Sequence, residues 1–295
     1  MLKTVLVLAG VTALVLWAAR QSPLLPGAAW NALLLAGALL SFFSIAAYAL
    51  RFRHVMRLLD LELGTLESMR IVSFAVFCQF FVPLGAGADL SKYLKLRGLA
   101  PERRARVGAA GIVLEHLLGL FVLVVTATVL FAALRPFAIE INLLEVVAAA
   151  VLVLMLGGAV LLKRQVAGGL DMRQIVRRLR AHQRAAALAV LWSLTMHLLL
   201  AAAVFLGSRG LSVAIDYWQI LFVLTSAAVF QAVPATLVGV GVADLAGTGL
   251  YVAMGLPLST ALLMVSLLYG YRLLVALLGG LWELDGARRA LRSGG

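Results

Sequence analysis

Charge is what this sequence has least of. Asp, Glu, Lys and Arg together make up 13% of its 295 residues, where an ordinary globular domain has about a quarter. Hydrophobic residues make up 63% and the mean hydropathy is +1.05. Length alone would allow about two soluble domains, but that much apolar surface cannot be buried in a water-soluble core. A soluble enzyme and a disordered chain are both excluded. Cysteine is nearly absent. Cys78 stands alone in an apolar run, so there is no internal disulfide and no thiolate metal cluster. Acidic residues are also scarce, at 13 against 25 Lys and Arg, which gives a net charge of +12. In a soluble chain such a balance would point to nucleic acid. In a chain this apolar the cations are first of all topology signals, because Lys/Arg-rich loops stay cytoplasmic.

A membrane span needs about 20 mostly apolar residues. Six stretches qualify: Lys3 to Ala19, Ala28 to Leu50, Val107 to Leu134, Ile141 to Leu162, Ala185 to Gly207 and Pro257 to Trp282. The first lacks a clean small-x-small cleavage site and many spans follow it, so it is taken as a span and not as a signal peptide. Arg51 to Arg70 is a polar connector and Lys163 to Arg184 a basic one.

Two further apolar stretches, Ile71 to Leu90 and Trp218 to Leu245, are interrupted. The first contains Pro83, Gly85, Gly87 and Asp89; the second contains Pro234, Gly239, Gly241 and Asp244. Proline removes a backbone donor and breaks a helix, and glycine lets the chain reverse. Broken backbone at membrane depth is tolerated only where protein or a water-filled cavity covers it. The charge pattern decides how such stretches run. Segments 92–106 and 163–184 carry net charges of +5 and +6 and should both face the cytoplasm. They do so if 71–90 is a re-entrant hairpin entering from the cytoplasm and 218–245 one entering from the opposite face. Only Arg20, Arg135 and Arg209 then lie outside, Arg272 lies within a span, and both termini are cytoplasmic.

The interrupted stretches resemble each other. Each runs Val-Pro, glycines, Ala-Asp-Leu and then Gly-Leu, at Gly98-Leu99 and Gly255-Leu256. Seventeen residues beyond these glycines lie Glu115 and Arg272. Each half is thus a hairpin followed by a long span with one embedded ionisable residue. That is the pattern of an inverted-topology repeat, which transporters use to build a midplane site. The expected fold is an all-α polytopic membrane protein with about six full spans and two re-entrant helical hairpins. The whole chain, 1–295, forms a single integral membrane domain. It comprises N-terminal spans (1–50), a first hairpin-plus-span repeat (71–134), linking spans (135–207) and a second repeat (216–285).

These residues carry a resemblance. Pro83-x-x-x-Gly87-x-Asp89-x-x-Lys92 is similar to the P-x-x-x-G-x-D/E-x-x-R motif of the lysylphosphatidylglycerol synthase transmembrane, or flippase-domain, family, with Lys92 in place of Arg. Pro234-x-x-x-x-Gly239-x-Gly241-x-x-Asp244 resembles that family's second motif, with Asp in place of Glu. Glu115-His116 and Tyr271-Arg272 resemble its embedded charges, His116 replacing Arg. The resemblance implies movement of a lipid or lipid-linked headgroup across the bacterial inner membrane. The substrate would be an anionic phospholipid, a glycolipid or a polyprenyl-linked lipid. The soluble aminoacyl-transferase domain of the best-known members has no room here, so a stand-alone member is expected. A non-catalytic accessory subunit of a lipid pathway and an intramembrane lipid-modifying enzyme stay open as alternatives, as does a homo-oligomer.

The residues bear bland readings as well. Glu115 lies roughly 12 Å into its span and Arg272 roughly 15 Å into its own, at 1.5 Å per residue. Charges at such depth cost about 2.5–3.5 kcal/mol even on mild scales and are functional by default, but they would also serve as a structural Glu115–Arg272 pair. Asp89 and Asp244 either N-cap the helices that follow or line a hydrated cleft that also holds Lys92 and contacts the headgroup. The glycine turns would offer backbone N–H groups to phosphate. His116, beside Glu115, is a candidate proton carrier, and His197 a core histidine. No metal site, cofactor or nucleic-acid partner is expected, and no enzyme motif appears. The Arg-rich stretch 173–184 suits a connector lying on anionic lipid.

Overall fold

The computed structural model describes residues 32–81, 87–99, 103–136, 172–230, 236–237 and 240–293. The expected spans Lys3 to Ala19 and Ile141 to Leu162 lie outside the described residues, as do Pro83, Gly85, Pro234 and Gly239 of the hairpin turns. Apart from one pair of two-residue strands, the regular elements among the described residues are all helices. In order the chain runs α1 (Ala32–Arg57), α2 (Thr65–Phe81), α3 (Gly87–Leu99), α4 (Arg103–Leu134), α5 (Met172–Ala181), α6 (Gln183–Gly210) and α7 (Tyr217–Val229). Then come β1 (Thr236–Leu237), β2 (Val240–Gly241), α8 (Val242–Ala253) and α9 (Leu258–Ser293).

Four stretches are long and apolar enough to cross a membrane: Ala32–Arg57, Gly108–Leu134, Gln183–Gly210 and Leu258–Leu284. Their outward faces are apolar too, with Leu39, Phe43, Val129, Leu191 and Leu281 all more than half exposed. In water such faces would be a liability; against hydrocarbon they are solvated. The chain is therefore a multi-pass membrane protein.

Each interrupted stretch holds two described helices. α2 and α3 flank residues 82–86 and pack against one another, and α7 and α8 do the same around the small antiparallel pair, in which Thr236 faces Gly241 and Leu237 faces Val240. Asp89 and Asp244 are both the third residue of the second helix, α3 and α8 respectively. This corrects the capping reading. Both carboxylates lie inside the first turn, where they complement the positive end of the helix dipole, and neither is an N-cap. The two Gly-Leu pairs also differ. Gly98 lies within α3, whereas Gly255 follows α8 in the left-handed region at φ 94°.

Helix ends are defined by local chemistry. After α1 the N–H of Leu61 bonds to the carbonyl of Met56 and that of Asp60 to Arg57, with Asp60 left-handed at φ 58°. This is a Schellman stop, and aspartate is one of the few residues that tolerate that conformation. Ser212 closes α6 in the same way. The carboxylate of Asp60 accepts a 2.9 Å bond from Arg178, tying the α1–α2 turn to α5.

The described residues form two compact units, each with its own core. The first takes in 32–43, 123–136, 197–230, 236–237 and 240–272. Its core gathers Val204, Ile220, Leu221, Tyr251, Ala261 and Met264. Tyr271 donates to the carbonyl of Leu34 at 3.1 Å, and its phenol occupies space that a Cβ at Gly37 or Gly207 would enter. The second takes in 44–81, 87–99, 103–122, 172–196 and 273–293, around Phe52, Val55, Met56, Leu58, Val72 and Leu96. Here α9 crosses α2 closely. A Cβ at Gly279 would lie 2.3 Å from the carbonyl oxygen of Ser73, and one at Gly280 2.5 Å from the ring of Phe77. Small residues at crossings are how helices pack when hydrophobicity cannot drive them together.

Candidate functional site

The second unit holds every buried Lys, Arg, Asp and Glu among the described residues. α1 presents Tyr48, Arg51 and Phe52 on one face at helical spacing; α3 presents Lys92 and α4 presents Glu115. Glu115 is wholly buried and Lys92 is 1% exposed. The two oxygens of Glu115 are held separately. Arg51 Nη2 donates to Oε1 at 2.7 Å and Lys92 Nζ to Oε2 at 2.8 Å. Lys92 also donates to the Tyr48 hydroxyl at 2.7 Å and lies over the rings of Tyr48 and Phe52. The Arg51 guanidinium stacks 4.6 Å from the centre of the Tyr48 ring and reaches Ser193 of α6 at 3.4 Å. Gly119, one turn beyond Glu115, leaves room for it, since a Cβ there would sit 3.2 Å from Arg51 Nη1.

Two cations share one carboxylate, so the cluster carries an excess positive charge in an apolar interior. One donor, Arg51 Nε, is buried with no hydrogen-bond partner among the described residues. A buried ion pair is weak evidence of stabilisation, because desolvation offsets most of the Coulomb gain. Excess charge and an unfilled donor are electrostatically suited to an anion.

Beside this cluster, Asp89 and His116 face each other at the start of α3, 3.6 Å apart and both about half exposed. His116 Nδ1 lies 2.7 Å from the carbonyl of Ile112. A carbonyl can only accept, so Nδ1 carries the proton and Nε2 turns to Asp89. The two attract as an ion pair only when the imidazole is doubly protonated.

The site residues named from sequence therefore separate. Lys92 meets Glu115, and Asp89 meets His116. Arg51 and Lys92 bond the two oxygens of Glu115, the carboxylate that the sequence also allowed to pair with Arg272. In the first unit, Asp244 and Arg272 are both only partly buried, and both act electrostatically on Tyr269. Gly87 is buried where α3 begins, and Gly241 lies in β2. Sequence reasoning missed Arg51 and Tyr48, assigning Arg51 to a polar connector. The available signal was that Tyr48, Arg51, Phe52 and Val55 continue the 3–4 spacing of the apolar run without a break. Among the described residues no group of three His, Cys, Asp or Glu is arranged to hold a metal.

No curated protein and no solved structure gives a significant match to the chain. A family model does: the lysylphosphatidylglycerol synthase TM region matches residues 2–280. With its run of lipid-facing helices and its charged cluster buried among them, the chain belongs to the lysylphosphatidylglycerol synthase transmembrane-region family.

Proposed function

We propose that this protein moves a lipid or lipid-linked headgroup across the bilayer of the bacterial inner membrane without altering it chemically. The observation that carries the reading is the Arg51–Glu115–Lys92 cluster. In a protein whose solvent is lipid, a charged group at depth is expensive and is functional by default. This cluster has one positive charge more than its own geometry needs. The cost of moving a lipid lies in desolvating its headgroup, and an anionic phosphate or sugar phosphate would recover contacts on Arg51 and Lys92. Family membership supports a lipid substrate. Our reading of α2–α3 and α7–α8 is that they are re-entrant hairpins of an inverted repeat, with Asp244 and Arg272 contacting the headgroup in the second half as Asp89 and Lys92 do in the first.

The test is a leaflet-accessibility assay in vesicles, with chemical analysis of the lipid afterwards. The double variant Lys92→Met with Glu115→Gln keeps the net charge of the cluster, since only Arg51 remains ionised. It is expected to insert and purify like the parent and to lose lipid movement. A double variant that moves lipid at the parental rate would remove the cluster from the path. Modified lipid would make the protein an enzyme, and neither movement nor modification would favour an accessory subunit. The topology has its own check. In a Cys78→Ser background, cysteines at Leu99 and Gln174 should both resist labelling from outside intact cells, and labelling at Leu99 would remove the first hairpin.

A further inference from the structure

A second cluster with the same charge ratio lies near the far end of α9. Glu283 accepts a hydrogen bond from Arg70 Nε of α2 at 3.0 Å and another from Lys95 of α3. All three side chains keep some exposure, 42% for Arg70, 30% for Lys95 and 20% for Glu283. Again two cations share one carboxylate and leave one positive charge over, but here the surplus is accessible. Next to it α2 and α3 form an open surface cavity of about 340 Å³ lined by Phe74, Cys78, Leu90, Ser91, Leu94 and Lys95. Its walls are apolar except for Lys95 and Ser91, and the Ser91 hydroxyl is already donated to the carbonyl of Ala88 at 2.8 Å. The Lys95 ammonium stands 5.1 Å from the centre of the Phe74 ring, at the junction of the charged cluster and the apolar walls. Leu90 and Leu94, one turn apart on α3, are 52% and 53% exposed.

We propose that this is a binding site for one anionic phospholipid, with part of an acyl chain in the cavity and the phosphate on Arg70 and Lys95. Three features fit that ligand together. The volume lies at the low end of ligand sites, about 300–1,000 Å³, which suits part of one chain and not a whole lipid. Apolar walls match hydrocarbon and offer a soluble phosphate nothing. The surplus charge, with an arginine able to bind phosphate in two-point fashion, discriminates against a zwitterionic headgroup, which would bring a further cation to a site already positive. Lys95 lies one helical turn from Lys92, so a headgroup held here stands one turn of α3 from the buried cluster. As a loading site for transport, this inference rests on the lipid-moving reading.

The experiment uses the full chain in phosphatidylcholine nanodiscs containing a trace of phospholipid with a photoactivatable acyl chain, either phosphatidylglycerol or phosphatidylcholine. Adducts are mapped by peptide mass spectrometry. Phosphatidylglycerol should label residues 74–94 several-fold more than phosphatidylcholine, and Arg70→Gln with Lys95→Gln should bring the two to parity. Leu94→Trp, which fills the cavity and leaves the charges alone, should lower labelling by phosphatidylglycerol and serves if the double variant does not fold. Excess glycerol phosphate should not compete. Equal labelling by the two lipids, a preference unchanged by either variant, or competition by glycerol phosphate would overturn the site. Capture is read without transport. A protein that captures lipid but does not move it keeps this site and loses the transport reading; one that moves lipid with no capture preference does the reverse.

Discussion

The two units solve the same packing problem with different chemistry. In the first, the polar residues buried among the described ones are Ser41, His197, Ser208 and Thr225, beside the hydroxyl of the largely apolar Tyr251, and Asp244 and Arg272 keep part of their surface exposed. Ser41, Ser208 and Thr225 bury hydroxyls, and Ser208 and Thr225 donate to backbone carbonyls of their own helix, at 2.8 Å to Phe205 and 2.8 Å to Leu221. Such groups cost little to bury because their partner is always at hand. In the second unit, Arg51, Lys92 and Glu115 are buried outright, and their partners come from other helices, up to 142 residues away in sequence. Hydroxyls on their own helix can be lost one at a time. A charge cluster assembled from several helices stands or falls together.

The largest expected difference follows from that contrast. Glu115→Leu leaves Arg51 and Lys92 buried without the carboxylate they share. Removing one partner of a buried pair costs about 3–5 kcal/mol, and unfolding of the purified protein in detergent should register a loss of that order. Arg272→Leu removes a partly exposed charge in the first unit, and its cost should be less than half as large. Equal losses would mean that the cluster of the second unit is no more committed than the charges of the first.

Tyrosine sharpens the comparison at smaller scale. Tyr48 accepts a 2.7 Å bond from Lys92, whereas the hydroxyl of Tyr251 is buried without a partner among the described residues. Tyr48→Phe should cost about 1.5–3 kcal/mol, the range for hydrogen bonds to charged groups, while Tyr251→Phe should be neutral or stabilising because it removes an unsatisfied buried group. Thermal unfolding of the two variants side by side decides it, and a clear loss in Tyr251→Phe would break the contrast.

What the sequence revealed and what it hid divide along the same physical line. The apolar runs at 28–50, 107–134, 185–207 and 257–282 stand as α1, α4, α6 and α9, because hydrocarbon selects composition and length and both are written locally. Pro83 and Pro234 mark the two interrupted stretches in the sequence for the same reason: proline and glycine act on their own backbone. Partners were not visible. Glu115 had several cations within plausible reach, and Arg272 matched it in spacing and sign as well as Arg51 and Lys92 did. Only packing chose. Arg51 was set aside because a cation after an apolar run usually marks the water boundary, whereas α1 continues through it to Arg57. The Gly279–Gly280 crossing was equally hidden, since a glycine in a span shows no partner until the neighbouring helix is in place.

The smallest effect probes the difference at a single helical position. Lys92 lies three residues after Asp89, and Gly247 lies three residues after Asp244, each Asp being the third residue of its helix. Where α3 sends an ammonium into a buried charge cluster, α8 has no side chain at all. A Cβ at Gly247 would meet Ala227, Val265 and Val223 at 3.6, 3.7 and 3.9 Å, ordinary contact distances with apolar neighbours. Glycine inside a helix is destabilising by roughly 0.5–1 kcal/mol relative to alanine. Gly247→Ala should therefore stabilise by about that amount, with nothing displaced. Gly279→Ala is the control from the second unit. Its Cβ would fall 2.3 Å from the backbone oxygen of Ser73, and overpacking of this kind costs about 1–3 kcal/mol. Opposite signs in the two variants, read as midpoints of thermal unfolding, would mean that the first unit has slack at Gly247 where the second has none at Gly279. A loss in Gly247→Ala would mean that the backbone of α8 must come closer to its neighbours than these distances require, and that the glycine is kept for space and not for want of a charge.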